Sequence, residues 1–449
     1  MVSLAGLGAI RVIERLRATC WDDPRRRRWL LAIAIHAVAT LGFSLASAPE
    51  LFERHTPHNH FALLAEGWLD GRLDLGRAPP SYAGGNDFAL YGDRWYVVFP
   101  PFPAVFLVPW VWLAGGDASR VADGACFLML AGLAPALLFL VLEKLDRMGH
   151  GAGTQRVHVL LSLLFGFGTV YFFCAVQGTV WYAAHVVGAA LAAAYVLFAL
   201  SAERPFAAGV ALGLAFLTRT PLLSAAPLFA LEAWRTCRSL QGTIDRTALV
   251  KKLAWFTVPV LSAVVLALVL NWARFGDWSE FGYRYLTVRW HDRIARWGLF
   301  DYHYLARNLG VVLTSLPWLT PPGHTPSFQI NAHGLSLWVT TPCYLWLLWP
   351  RRCPPLFWSL SLSAACVAVP TLFYQNTGWV QFGYRFSCDY AAFLFALFAV
   401  GGYRMGRLFQ VASVVSVIVN SFGAVTFGRR GYEAYYFVEP TQRVFYQPD

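Results

Sequence analysis

The chain has 449 residues, of which 57% are hydrophobic, 16% aromatic and only 14% charged. A soluble domain carries about 25% charged residues, so this chain cannot clothe a water-facing surface and needs lipid as part of its solvent. The formal net charge of +11 would point to nucleic acid in a soluble protein. Here much of it falls in segments assigned to the cytoplasmic face, where it reads as a topology signal and an attraction to lipid headgroups, and no nucleic-acid partner is expected.

The apolar runs are about 16–22 residues long, the length a helix needs to cross hydrocarbon. The predicted fold class is an all-α polytopic membrane protein of about eleven transmembrane helices. The first span covers 29–48, behind the four arginines at 25–28, which hold the N-terminus in the cytoplasm. Ala46-Ser47-Ala48 resembles a signal-peptidase site, but the run is long and the start basic, so an uncleaved first span is expected. Residues 49–121 form the first external loop. In it, Phe61, Leu64, Trp68 and Leu69 recur at helical spacing and predict an amphipathic interfacial helix, with His60, Glu66 and Asp70 elsewhere on the wheel. The run from Val97 to Ala114 holds Pro100, Pro101, Pro103 and Pro109, and reads as a helix in or dipping into the interface rather than a simple span.

Further spans are predicted at 122–142, 158–176, 183–201, 205–218, 221–234 and 253–272. The basic loops 143–156 and 235–252 are separated by four spans, an even number, so both fall on the cytoplasmic side. A second external loop runs over 273–334, followed by spans at 335–349, 356–374, 386–402 and 408–427. The stretch 375–385 and the C-terminal tail fall outside. One continuous transmembrane domain is expected, without internal repeats or a soluble appendage.

The eight cysteines form no CxxC pair, and no His/Cys spacing suits zinc, so neither disulfide, metal nor other cofactor is expected. No Walker loop, dinucleotide fingerprint or serine-hydrolase elbow is present. Polar and aromatic residues concentrate in the three external stretches, which suits an enzyme working at the outer face of a membrane.

Several segments carry a family likeness. They are Phe61, Ala65, Leu69 and Gly71 in the first external helix, DFALYGDRWY at 87–96, the Pro100-Pro101 turn, FGDWSEFGY at 275–283 and QFGYRF at 381–386. In this order they resemble the GT-C superfamily of glycosyltransferases, which includes protein mannosyltransferases and bacterial aminoarabinose transferases. In many members an acidic residue, often an Asp-Glu pair, precedes the first external helix. Here Pro57 and His58 stand there, with Glu50 and Glu53 the nearest upstream acids.

The resemblance implies transfer of a hexose or pentose from a polyprenyl-phosphate-linked donor to an unknown cell-envelope acceptor, with inversion. The setting would be the periplasmic face of a bacterial inner membrane. A carboxylate would deprotonate the acceptor, and arginines would take up the charge on the departing phosphate. The candidate bases are Asp87, Asp74 and Glu53. The candidate phosphate ligands are Arg219, Arg385 and Arg284, and the candidate substrate contacts are Tyr91, Tyr96, His185, Tyr283 and Tyr384. Two rivals remain: a transporter or flippase of a polyprenyl-linked or amphipathic substrate, and an envelope glycan polymerase or ligase. The polymerase is suggested by Arg284, Arg289, Arg293, Arg296 and Arg307 in the second loop.

Overall fold

The computed structural model describes residues 23–437 apart from Ala152, Leu240 and Arg289. Arg289 and the tail 438–449 therefore lie outside the described residues. Among the described residues, these helices position the site. They are α1 (Pro24–Ala46), α2 (His60–Leu69), α3 (Asp123–Arg147), α4 (Gln155–Phe167), α5 (Val180–Ala199), α6 (Pro205–Phe216), α7 (Pro227–Thr236), α8 (Arg246–Phe275), α9 (Pro355–Leu372), α10 (Cys388–Val400) and α11 (Arg407–Thr426). Among the described residues, six helical stretches are long and apolar enough to cross a membrane: α1, α3, α5 with the turn after it, α8, α9 and α11.

The expected count of about eleven is thus not met by single long helices. The run 158–176 breaks near Gly168 into α4 and a short helix, Tyr171–Ala175. The run 221–234 opens as the 3₁₀ segment Thr220–Ala225 before α7. The run 335–349 splits into Leu337–Thr340 and the 3₁₀ segment Pro342–Leu348. Pro221, Pro227 and Pro342 stand at the starts of such pieces, where a missing N–H is tolerated but cannot continue a preceding helix.

Helix α5 is the centre, packing against α3, α6 and α10. Its alanines and Gly188 let neighbouring backbones approach closely. Helices α6 and α8 approach each other closely as well. A Cβ on Gly209 would meet the Phe256 carbonyl oxygen at 2.2 Å, and one on Gly213 would meet the Ala263 Cβ at 2.9 Å. Val258, Leu261, Val265, Leu266 and Val269 of α8 face outward, as lipid contact requires.

The basic loops gather at one end of the bundle. Lys144 Nζ donates to the carbonyls of Leu197 (3.1 Å) and Leu200 (2.8 Å). Arg352 donates to the carbonyls of His150 (2.7 Å) and Val400 (3.0 Å). The three long polar stretches knit together at the other end. The strands β1 (Phe88–Tyr91) and β2 (Arg94–Val97) pair antiparallel, and Ala89 bridges to Leu286. Phe300 bridges to Tyr374, and Gln375 N–H donates to the Leu299 carbonyl (2.9 Å).

Helix α2 forms where the spacing predicts it, but it does not lie half-solvated at an interface. Every residue from His60 to Gly67 is buried, because the proline-rich segment and the hairpin fold over it. Glu66 is consequently paired rather than solvated, accepting the Ala118 N–H (3.0 Å) and meeting Arg77 at 2.7 Å. Asp70 at the helix end is exposed and pairs with Arg72. The segment after Val97 forms two short helices, Phe102–Val105 and Val108–Leu113; Phe106 between them and Trp110 and Trp112 of the second are exposed.

Candidate active site

The hairpin of β1 and β2 is entered through Asn86 and Asp87. Asp87 has φ +61, a left-handed conformation that Asp tolerates better than most side chains. Two histidines of the first external segment hold this turn. The His60 ring stacks on Phe88 with centroids 4.1 Å apart, and its Nε2–H donates to the Asn86 carbonyl (2.9 Å). Burial pushes its pKa down to about 4, so His60 is neutral. His58 lies against the Trp181 ring, with centroids 4.5 Å apart.

The Trp181 indole N–H in turn donates to Asp87 Oδ2 at 2.9 Å. No other hydrogen bond to the Asp87 carboxylate occurs among the described residues, so it caps no turn and Oδ1 is left without a protein partner. Burial raises the Asp87 pKa from near 3.8 to about 6, against the opposing pull of the Trp181 N–H and the Arg385 charge. The residue keeps partial exposure, as a base that meets a substrate must.

Arg385 follows the loop 375–384 and is buried. Its Nη1 donates to the Gly378 carbonyl and to that of Val380 (3.3 Å). Its guanidinium lies over the Tyr182 ring (5.3 Å) and the Phe386 ring (5.7 Å). No carboxylate pairs with it among the described residues, and its Nε is buried without a partner.

Arg219, between α6 and α7, also lies over the Phe386 ring, at 5.3 Å. It is ion-paired with Asp389 of α10, with Nη2–Oδ2 at 2.7 Å and Nε–Oδ1 at 3.1 Å. His185 Nδ1–H donates to the same carboxylate (3.1 Å). The Tyr374 phenol feels the charges of Asp87, Arg219 and Arg385 together, and Tyr283 those of Asp87 and Arg219. Tyr283 also lines a mostly apolar groove between Pro100-Pro101, Phe216 and Leu217 at the end of α6, and Ala267 and Leu270 of α8, with Asn271 and Arg274 as its polar residues.

The structure therefore brings together Asp87, Arg219, Arg385, His185 and Tyr283 of the residues singled out from sequence. Tyr384 is close by but buried, its hydroxyl bonded to that of Thr371 (2.8 Å). The others lie apart from this cluster. Asp74 accepts the Gly76 N–H (2.6 Å) and pairs with Arg94 (3.4 Å). Glu53 is exposed at the end of a one-turn helix. Arg284 is exposed and pairs with Glu280. Tyr91 and Tyr96 pack on Phe275. Two residues escaped sequence reasoning. Asp389 lies within an otherwise apolar run, where its cost in lipid calls for a partner; that was the available signal, and the expectation that acids keep to the external stretches does not hold there. Tyr374 carried no signal beyond its loop position.

No family model matches the chain, and no curated protein matches it. Among solved structures it is similar to the crystal structure of the Archaeoglobus fulgidus oligosaccharyltransferase in the apo form, with a TM-score of 0.44 and 10% identity. The match covers 90% of this chain and 59% of the archaeal one, so this chain spans well under two thirds of that protein's length. A likeness of that size carries no argument about chemistry, which rests on the residues described above.

Proposed function

We propose that the chain is a GT-C-like membrane glycosyltransferase that moves a hexose or pentose from a polyprenyl-phosphate donor to a cell-envelope acceptor at the periplasmic face of a bacterial inner membrane. One observation carries the reading. A carboxylate with a free oxygen, Asp87, lies within electrostatic reach of an arginine without a carboxylate partner, Arg385, and Tyr283, which feels the Asp87 charge, lines a mostly apolar groove. That is the pairing a base and a leaving phosphate need, beside a surface suited to an isoprenoid chain.

In this reading the prenyl chain lies along Pro100-Pro101 and α8, and the phosphate meets Arg385 and Arg219. Asp87 Oδ1 accepts the proton of the acceptor hydroxyl as its oxygen attacks the anomeric carbon. The bond from that carbon to the phosphate oxygen breaks, its electron pair leaves with the phosphate, and the sugar inverts. The negative charge thus moves from Asp87 to the departing phosphate beside Arg385, and the total is unchanged.

The test is transfer by purified protein in nanodiscs, using a panel of radiolabelled polyprenyl-phosphate sugars and envelope extract as acceptor. Donor-dependent labelling that Asp87→Asn abolishes supports the reading; a panel left intact by wild type sinks it. A flippase of a lipid-linked substrate is the second reading, favoured by the broken helices and by the Arg219–Asp389 ion pair with its fully buried carboxylate. It predicts donor moved across the membrane with its glycosidic bond whole.

A further inference from the structure

Resting on the transferase reading, we infer that Asp389 is a built-in counter-charge that makes the crevice select a singly charged phosphodiester over a diphosphate. Asp389 has no exposure, and both its oxygens engage Arg219, at 2.7, 3.1 and 3.2 Å. His185, equally buried, binds the same Oδ1 that Arg219 Nε reaches and makes no further hydrogen bond with Nε2. Space for this arrangement is left by Gly188 of α5, where a Cβ would come within 2.9 Å of the Arg219 Cγ. Such a pair is expensive to bury and gives little stability over an apolar substitute, so its presence beside the crevice asks for a purpose.

The charge balance supplies one. Arg219 and Asp389 cancel, leaving Arg219 as a fixed hydrogen-bond donor whose Nη1 has no partner among the described residues. Arg385 is the uncompensated cation, held by neutral carbonyls and by the same Phe386 ring that Arg219 flanks. Ionised Asp87 stands opposite. The four groups sum to zero before a ligand enters, so every negative charge the ligand brings is added to a neutral site; of the four, only Arg385 is a cation bonded to no carboxylate and able to answer it, Asp87 being the proton acceptor. A diphosphate would bring further negative charge into the same poorly solvated space, where these four groups hold no second cation free of a carboxylate; Arg274, likewise without a carboxylate, is engaged at the groove by the Val97 carbonyl and Asn271. Without Asp389 the site would hold one more positive charge and lose that discrimination.

The experiment measures binding of two short probes, geranyl methyl phosphate and geranyl diphosphate, to the full chain in nanodiscs by isothermal titration. Wild type is expected to favour the diester. Asp389→Asn is expected to move the affinity ratio about tenfold or more toward the diphosphate, a tenfold change being about 1.4 kcal/mol. The double variant Arg219→Gln with Asp389→Asn removes the pair together and is expected to keep the wild-type ratio at lower affinity. If Asp389→Asn fails to fold, the double variant carries the test. A wild-type preference for the diphosphate, an unchanged ratio in folded Asp389→Asn, or an altered ratio in the double variant each overturns the inference alone. Wild type binding neither probe overturns the transferase reading and this inference with it.

Discussion

Trp181 at the start of α5 donates its indole N–H to Asp87, 94 positions earlier in the chain, at 2.9 Å. The contact fixes one carboxylate oxygen and leaves the other for a substrate. Asp87→Asn keeps the shape and suits the left-handed backbone equally well. Transfer is expected to fall by roughly 10²–10⁴, the usual contribution of a general base. Stability at pH 7 is expected to rise. The pKa shift to about 6 corresponds to at most about 3 kcal/mol, and partial exposure reduces this to about 1–2 kcal/mol. A variant that melts later while losing transfer would mark Asp87 as functional rather than structural; one that melts earlier would count against it.

The same shift fixes the pH dependence. Asp87 must be ionised to accept a proton, so transfer should rise with pH through about 6 and flatten above it. Stability runs the other way. A carboxyl whose folded pKa is raised contributes stability that is present below its unfolded pKa near 3.8 and lost as pH rises through about 6. Trp181→Phe removes a hydrogen bond that lowers the pKa, so its rate profile should shift to higher pH. A profile left in place would show that another group limits the rate.

Arg385→Lys should act on the donor. The guanidinium spans two loop carbonyls and two aromatic faces, a geometry that an ammonium point charge cannot reproduce. Donor KM is expected to rise about tenfold or more, with acceptor KM changed far less. Steady-state kinetics against each substrate in turn decides it; equal rises in both constants would indicate a collapsed loop instead.

How much of this was legible in the sequence follows from the range over which each signal acts. Asp87 and Arg385 stand out because each is a charge at the edge of apolar or aromatic sequence, a local feature. The Arg219–Asp389 pair joins positions 170 apart, and nothing in the neighbourhood of either residue names the other. The apolar runs themselves were visible, but whether a run becomes one long helix depends on glycines and prolines such as Gly168 and Pro342, whose effect the neighbouring helices decide. The burial of α2 was hidden for a related reason. Its hydrophobic spacing fits an interface, and only the tertiary cover from the proline-rich segment encloses His60 and Glu66.

Gly209→Ala tests the fold apart from the site. The new Cβ would meet the Phe256 carbonyl at 2.2 Å, backbone that cannot rotate away, so α6 and α8 must separate. A loss of about 1–3 kcal/mol is expected from overpacking, read as a lower melting temperature in detergent. Gly276, left-handed at φ +69 with nothing within 4 Å of its Cβ position, provides the contrast. Gly276→Ala should cost only backbone strain, on the order of 1 kcal/mol.

The remaining acids decide whether Asp87 has been assigned correctly. Asp74 holds a loop through Gly76 and Arg94, and Glu53 stands exposed on the other side of the His58–His60 segment. Asp74→Asn is expected to loosen that loop by about 1 kcal/mol and to leave the pH midpoint of transfer where it was. Glu53→Gln and Arg284→Ala, both at exposed positions, should change stability by no more than about 0.5 kcal/mol and transfer by less than about threefold. The informative comparison is among the pH profiles. If Asp74→Asn abolishes transfer while Asp87→Asn retains a normal profile, the base belongs instead to the polar cleft lined by Arg72, Asp74, Arg77 and Arg94. The donor phosphate would then have to be held there by arginines that already carry carboxylate partners, Asp70, Glu66 and Asp74. That need for free positive charge is why Arg385, buried and without a carboxylate, makes the Asp87 crevice the stronger site.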